Sequence, residues 1–161
     1  MEIAMVLHLP RDAVSVSISR QVLDSCLETL GVTADTRADI ALALSEACAN
    51  VILHAGPGEE YEVQVSAKNR RCAIEVVNTG SAAASPQDGH GPDGYQFDGF
   101  ALDADPVSAM AEHGRGLKII DAVTDNLQLT GDQRRGTTLH FEKTLEWIPG
   151  AAGQHLFKAE D

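Results

Sequence analysis

Ala43-Leu44-Ser45-Glu46-Ala47-Cys48-Ala49-Asn50-Val51-Ile52-Leu53-His54-Ala55 is the stretch on which the reading of this chain turns. Ile40, Leu44, Ala47 and Val51 recur at helical spacing, so Thr36 to His54 is expected to form one helix with a single apolar stripe. Thr33 and Asp35 are candidate caps, and Gly56-Pro57-Gly58 is the stop. Glu46 and Asn50 are four residues apart and therefore lie side by side, one turn apart. The apolar stripe borders them on one side and Leu42 with Leu53 on the other, so a solvated face does not account for them. A carboxylate in such surroundings is costly unless it is paired, hydrogen-bonded or protonated, and such surroundings raise a carboxylate pKa toward the range of a general base. The amide oxygen of Asn50 beside it is a hard ligand suited to magnesium. The plainer reading lets Glu46 reach solvent along its flexible stem while Asn50 bonds a nearby loop.

Outward from this helix the periodicity changes. Tyr61, Val63, Val65 and Ala67 alternate with polar residues, and after a turn at Lys68 to Arg71 so do Cys72, Ile74 and Val76, which predicts an antiparallel hairpin with one buried face. Upstream, Glu2 to Leu9 alternates as a strand that Pro10 ends. The next segment fits two patterns: Val14, Val16 and Ile18 alternate, whereas Val14, Ile18, Val22, Cys26 and Leu30 recur every four residues. Helix is the better reading, because Gln21 to Leu30 shows no alternation and Gly31 follows. Downstream, Gly80 to Asp105 breaks all periodicity and carries Asp88, Asp93, Asp98, Asp103 and Asp105, too long a stretch for a simple connector. Asp105-Pro106 opens a short expected helix through Glu112, a second runs from Leu117 to Val123, and Leu127, Leu129, Leu139 and Phe141 give a last hairpin turning near Gly131 to Gly136. After Trp147 no packing pattern is visible. This order predicts an α+β, two-layer sandwich: a mixed, mostly antiparallel sheet with helices on one face. One domain over residues 1–146, with a lid-like loop at 80–105 and a C-terminal tail at 147–161, uses the chain.

Three further motifs can carry chemistry. In His113-Gly114-Arg115-Gly116-Leu117 two glycines permit close backbone approach, the following helix presents free N–H groups and Arg115 adds positive charge, a combination suited to phosphate; a glycine-bearing turn between helices is the common alternative. Val77-Asn78-Thr79-Gly80 ends a strand with a side-chain amide able to bond a planar base, or simply makes a turn. Gly136-Thr137-Thr138 opens the last strand with hydroxyls that can meet phosphate oxygens or merely suit β structure.

Composition narrows the classes. The formal net charge of −12 leaves no broad basic stripe for a polyphosphate backbone, so direct nucleic-acid binding is not expected. No apolar run approaches the length of a membrane span, and a cytoplasmic protein with no membrane association is the expectation. Cys26, Cys48 and Cys72 lie far apart in apolar surroundings and read as inert thiols, and the six histidines show no metal spacing.

Taken together, the order and spacing of these motifs resemble the ATPase superfamily shared by DNA gyrase, sensor histidine kinases and the MutL mismatch-repair proteins, and more narrowly the bacterial anti-sigma-factor serine kinases. Ala43 to Ala55 is similar to their first ATP-binding box, Gly114-Arg115-Gly116-Leu117-Lys118-Ile119-Ile120 to their second glycine box, and Gly136-Thr137-Thr138-Leu139 to their last strand. The resemblance covers roughly Met1 to Leu145. It implies three or four helices on a mixed sheet, ATP and Mg2+ as ligands, Glu46 as the base that orients the substrate hydroxyl and Asn50 as the magnesium ligand. Asn78 and Gly80 would meet the base, and Gly114, Arg115, Gly116 and Leu117 would hold the phosphates, with Thr137 or Thr138 assisting. His54 would pack and hydrogen-bond at the helix end. The implied partners are a sigma factor, withheld from RNA polymerase, and an anti-anti-sigma protein phosphorylated on serine or threonine; a homodimer is also implied. One departure stands out. Where the family has an aspartate accepting a hydrogen bond from the adenine amino group, followed by Gly-x-Gly, this chain has Asn78-Thr79-Gly80-Ser81-Ala82. A non-catalytic interaction module of the same fold is the alternative that this departure supports.

Overall fold

A computed structural model describes residues 1–54, 59–78, 115–132 and 136–157. In order they form β1 (Glu2–Pro10), α1 (Ala13–Leu30), α2 (Ala34–His54), β2 (Glu60–Lys68), β3 (Arg71–Asn78), α3 (Arg115–Val123), β4 (Asn126–Asp132), β5 (Gly136–Thr144) and α4 (Ala152–Leu156). The strands make one sheet in the order β1-β2-β3-β5-β4, antiparallel at each of its four pairings, so the mixed character expected of it is absent among the described strands. The short helix expected between Asp105 and Glu112 and the loop at 80–105 lie outside the described residues.

Strand alternation puts Leu9, Tyr61, Val63, Val65, Cys72, Ile74, Val76, Leu139 and Phe141 on the buried face under the helices. The opposite face carries Glu62, Gln64, Glu75, His140 and Glu142, tied to one another: His140 Nδ1 lies 3.1 Å from Glu75 Oε1 and its Nε2 3.3 Å from Glu142 Oε1. One face polar and one apolar is the two-layer sandwich that the sequence predicts. The β2–β3 hairpin turns through Asn69 and Arg70 at φ 49° and 65°, the double left-handed conformation that matches the right-handed strand twist.

The first helix forms where expected, capped by Asp12, whose side chain accepts from Val14 N at 2.9 Å, and ended by Gly31 at φ 82°. A side chain at position 31 would also meet Ala151 Cβ at 2.3 Å, so glycine is required there on both counts. The buried face is not the one read from the sequence. Ser15, Ser19, Leu23, Leu27 and Leu30 are buried, whereas Val14 is 65% exposed and Ile18 and Val22 are exposed. The two stripes are one residue, about 100°, apart. Burying the leucines removes more apolar surface than burying Val14, Ile18 and Val22 would. The serines beside them are covered at little cost because they are satisfied: Ser15 Oγ lies 2.7 Å from Asp12 O and 2.6 Å from the Tyr61 hydroxyl, and Ser19 Oγ donates to Val16 O at 2.9 Å.

For the second helix Thr33 is the cap: its Oγ1 accepts from Thr36 N at 3.4 Å, while Asp35 falls in the first turn. The segment after Trp147 is packed, contrary to its unpatterned sequence. Trp147 pairs with Val32 as an isolated bridge, its ring stacks on Phe157 with centroids 5.6 Å apart, and Phe157 is fully buried. The signal was too sparse to read: one aromatic pair ten residues apart, closed over the end of α1 by a single helical turn.

These burials have measurable consequences. In urea denaturation, Leu23→Ala is expected to lower stability by about 2–5 kcal/mol, whereas Val22→Ala changes it by less than about 0.5 kcal/mol; similar losses would return Val22 to the core. Burial also pushes the Cys48 thiol up to about 11 and the Cys72 thiol, beside Cys26, up to about 12. Both stay protonated at pH 8 and lack the thiolate that alkylation needs. Iodoacetamide at pH 8 should therefore modify Cys26 first in the native protein and the other two only after unfolding.

Candidate functional site

Lys143, near the end of β5, fixes the direction of the two helices that matter. Its Nζ donates to Asp39 Oδ2 at 2.9 Å and to Val123 O at 2.8 Å, which holds the early part of α2 and the last residue of α3 at the finishing end of β5. From there both helices lead away, and Asn50 lies about 16 Å along the α2 axis from Asp39. The far end of the sandwich therefore collects the second half of α2, the start of α3, the start of β5 and the end of β3, where Asn78 pairs opposite Tyr61.

At that end Glu46 and Gly116 meet. A Cβ built on Gly116 would lie 3.1 Å from Glu46 Oε2, so the carboxylate rests against the bare backbone of the first turn of α3. The segment containing Glu46 and Asn50 and the glycine motif, read separately from the sequence, thus form one place. Both polar residues are half-buried, on the border between the covered face of α2 (Ile40, Ala43, Leu44, Ala47, Cys48, Val51) and solvent. The apolar surroundings expected on both sides are found on one only, since Leu42 is exposed and Leu53 is 73% exposed. Glu46 therefore keeps access to water while one side of it is shaped by protein, as a group exchanging a proton with an incoming hydroxyl requires.

The remaining motif residues divide. Arg115 is exposed at the described start of α3 and carries its charge there, whereas Leu117 is buried in the core, which leaves only its backbone to face a ligand. Thr138 shares the parity of His140 and Glu142 and so lies on the sheet face away from the helices, its carbonyl accepting from Thr130 Oγ1 at 3.4 Å. Thr137, the second residue of β5, has its backbone placed opposite Gly131. Gly80 and Gly114 lie outside the described residues, as does the side chain of His54.

Asn78 is only 3% exposed and sits on the helix-covered face. Its Oδ1 accepts a hydrogen bond from Nη2 of Arg11, a residue that the sequence reading passed over. Arg11 follows β1 and is fixed by its own backbone, whose N donates to Glu59 O at 2.9 Å, one residue before the cap of α1. Burial pulls the Arg11 pKa below the usual arginine value, yet a guanidinium stays charged across the neutral range. The available signal was a basic residue between a strand-ending proline and a helix cap; periodicity does not say which strand end such a residue reaches.

The donor chemistry fits magnesium as a partner of phosphate. Among the described residues no group of three or more His, Cys, Asp or Glu is placed to hold a metal ion by itself. Magnesium keeps several waters and uses one or two protein oxygens together with phosphate, and the half-buried amide of Asn50 beside Glu46 offers such an oxygen.

Gly116→Ala provides a test of the Glu46 contact that does not depend on activity. Helix propensity favours the alanine by up to about 1 kcal/mol, so stability should hold within about that amount while the carboxylate moves aside. The Glu46 carboxyl carbon resonance, assigned with Glu46→Gln, is expected to shift. An unchanged resonance would show that the two groups do not touch.

Comparison with known proteins agrees with this geometry. Residues 9–143 match the histidine kinase-like ATPase domain. Serine-protein kinase RsbW of Bacillus cereus (strain G9842) is 24% identical over 148 residues, covering 87% of this chain and 84% of that protein. The proteins of the same name from Bacillus velezensis (strain DSM 23117 / BGSC 10A6 / LMG 26770 / FZB42) and Bacillus mycoides (strain KBAB4) are each 26% identical, over 148 and 144 residues, covering 86% and 87% of this chain and 84% of each relative. With most of its length matched, this chain belongs to the histidine kinase-like ATPase family.

Proposed function

We propose that this protein is a cytoplasmic, ATP-binding anti-sigma factor that phosphorylates a serine or threonine of an anti-anti-sigma partner and sequesters a sigma factor. The observation that carries the reading is the approach of Glu46 Oε2 to the backbone of Gly116, which sets a carboxylate beside the turn suited to phosphate. The likeness to proteins named serine-protein kinase RsbW supports the reaction class. No described helix is long and apolar enough to cross a membrane, and the net charge of −12 suits a basic protein surface rather than nucleic acid.

In this reading Glu46 orients the partner's hydroxyl and accepts its proton as the oxygen bonds to the γ-phosphorus and the bond to the ADP oxygen breaks. Arg115 and the backbone of Gly114, Gly116 and Leu117 neutralise and position the phosphates, with Thr137 at the start of β5 assisting. Asn50 would hold magnesium, which would supply charge neutralisation to the phosphates. Phosphoryl transfer asks mainly for this positioning and charge compensation. Asn78 and Gly80 would meet the base.

A second reading, a non-catalytic module of the same fold that binds a regulatory protein, is favoured by the Arg11–Asn78 hydrogen bond, because the group nearest the base is an uncharged amide already engaged. Calorimetry separates the two. Mg-ATP should bind with Kd below about 100 μM and markedly more weakly in EDTA. Glu46→Ala should then lose phosphorylation of the partner by at least about a hundredfold with partner binding intact. Absence of binding at millimolar Mg-ATP would leave the interaction module as the reading.

A further inference from the structure

The sheet edge at β1 lacks the devices that keep an edge strand from pairing. β1 ends the strand order, so the outer side of its backbone meets no strand among the described residues. All nine of its residues pair without interruption with Lys68 to Glu60, which leaves no bulge to twist the edge away, and its single proline is the last residue. Glu2 and His8 are its only ionisable side chains. On the helix-covered face Ile3, Met5 and Leu7 stay half-buried, whereas the corresponding residues of β2 and β3 are buried.

The first helix continues this surface. Its Arg20 and Asp24 line the groove toward α2, where Arg37 Nη1 donates to Asp24 Oδ1 at 3.0 Å. Ile18 is two residues, about 200° of helix, from Arg20. Val14, Ile18 and Val22 therefore lie on the side of α1 turned away from α2. Because α2 stands over β3 and β5, that side faces the free edge of β1. All three are exposed, and Ser25 and Thr29 prolong the stripe without a charge.

A second copy of the chain fits this seam. With a net charge of −12 the chain repels its copies over most of its surface, and here it presents almost no charge. A two-fold contact needs a surface complementary to itself. Antiparallel pairing of β1 with β1 of the second copy, centred on Met5, meets that need. Ile3 falls opposite Leu7 of the second copy on the covered face, and Glu2 opposite His8 of the second copy on the open face, acceptor against donor. One helix covers about two strand spacings, so the two α1 helices stand about 10 Å apart with their stripes between them. The seam is about 30 Å long and about 20 Å deep, which gives about 1,200 Å2 over both copies, the lower end of stable interfaces.

We propose that β1 and the Val14, Ile18 and Val22 stripe of α1 form a self-docking surface through which two copies of the chain join their sheets into one. This goes beyond the proposed function and stands whether or not nucleotide binds. Sedimentation equilibrium of the protein without nucleotide, at about 50 μM, should give the mass of two chains. Ile18→Glu, at an exposed position, should weaken association at least about tenfold, and Leu42→Glu, similarly exposed but on α2, should leave it unchanged. Ala4→Cys, exposed on β1, should be joined copy to copy by a short bismaleimide, with the link mapped to that position by peptide mass, while Gln128→Cys on the opposite edge strand should not. The mass of one chain at that concentration overturns the proposal. So does a dimer that survives Ile18→Glu, one that Leu42→Glu dissociates equally, or one linked through position 128 rather than position 4, since the contact then lies elsewhere.

Discussion

The close approach of α2 to α3 at Gly116 is the constraint on which the candidate site depends. A carboxylate rests this closely on the opening turn of another helix where that turn has no side chain in the way, and a Cβ at Gly116 would lie 3.1 Å from Glu46 Oε2 and push it aside. The helices are not free to separate and relieve the crowding. Leu117 and Ile120 on α3 are buried in the same core as Ala43, Leu44 and Ala47 on α2, and Lys143 binds both helices at the other end of the sheet. The small residues on α2 have a purpose in this arrangement: Ala43 and Ala47 allow the helix axes to approach where leucines would hold them apart. The glycine lets the carboxylate rest on bare backbone, and a phosphate role needs the same bare backbone facing Glu46.

The sheet below separates its two faces sharply. The helix-covered face is largely apolar, with Lys143 at one end of the sheet and Asn78 at the other replacing the alternating hydrophobic residues. The opposite face is a ladder of polar cross-strand partners, His8 with Glu62, Glu75 with His140 and Arg71 with Glu142, whose half-exposed charges add little stability individually. A buried polar side chain in an otherwise apolar layer costs free energy unless satisfied, and Arg11 supplies a partner from outside the sheet. In this chain the end of β3 is thus built around an amide and a guanidinium.

Much of the architecture was legible in the sequence because its signals are local. The alternation of Tyr61 to Ala67 and Cys72 to Val76, the four-residue recurrence in α2 and the glycine after Leu30 each mark an element with little reference to the rest of the chain. What was not legible depended on competition between distant groups. Both stripes of α1 are helical, and choosing Leu23 and Leu27 over Val14 and Ile18 requires knowing that Tyr61 waits opposite Ser15 to satisfy its hydroxyl. The order of Glu46, Asn50 and the glycine motif along the chain suggested a single site, and α2 and α3 bring Glu46 and Gly116 together; nothing in the spacing announced that Arg11 would reach a strand end 67 residues away. Phe157 was missed for a similar reason, since an isolated aromatic near a terminus carries no period and finds its place only against Trp147.

The two halves of the candidate site differ in how they tolerate change. At Glu46 the geometry is set by backbone against side chain, so it is lost only by adding atoms. At Asn78 it is set by one side chain against another, so it can alter by exchanging an oxygen for a nitrogen with no change in shape. An asparagine occupies the space of an aspartate, keeps the hydrogen bond from Arg11 and disturbs neither Tyr61 nor the β2–β3 register. What changes is charge: aspartate would bring a carboxylate to Arg11, whereas asparagine brings a neutral amide. Burial disfavours the charge of Arg11, as its depressed pKa indicates.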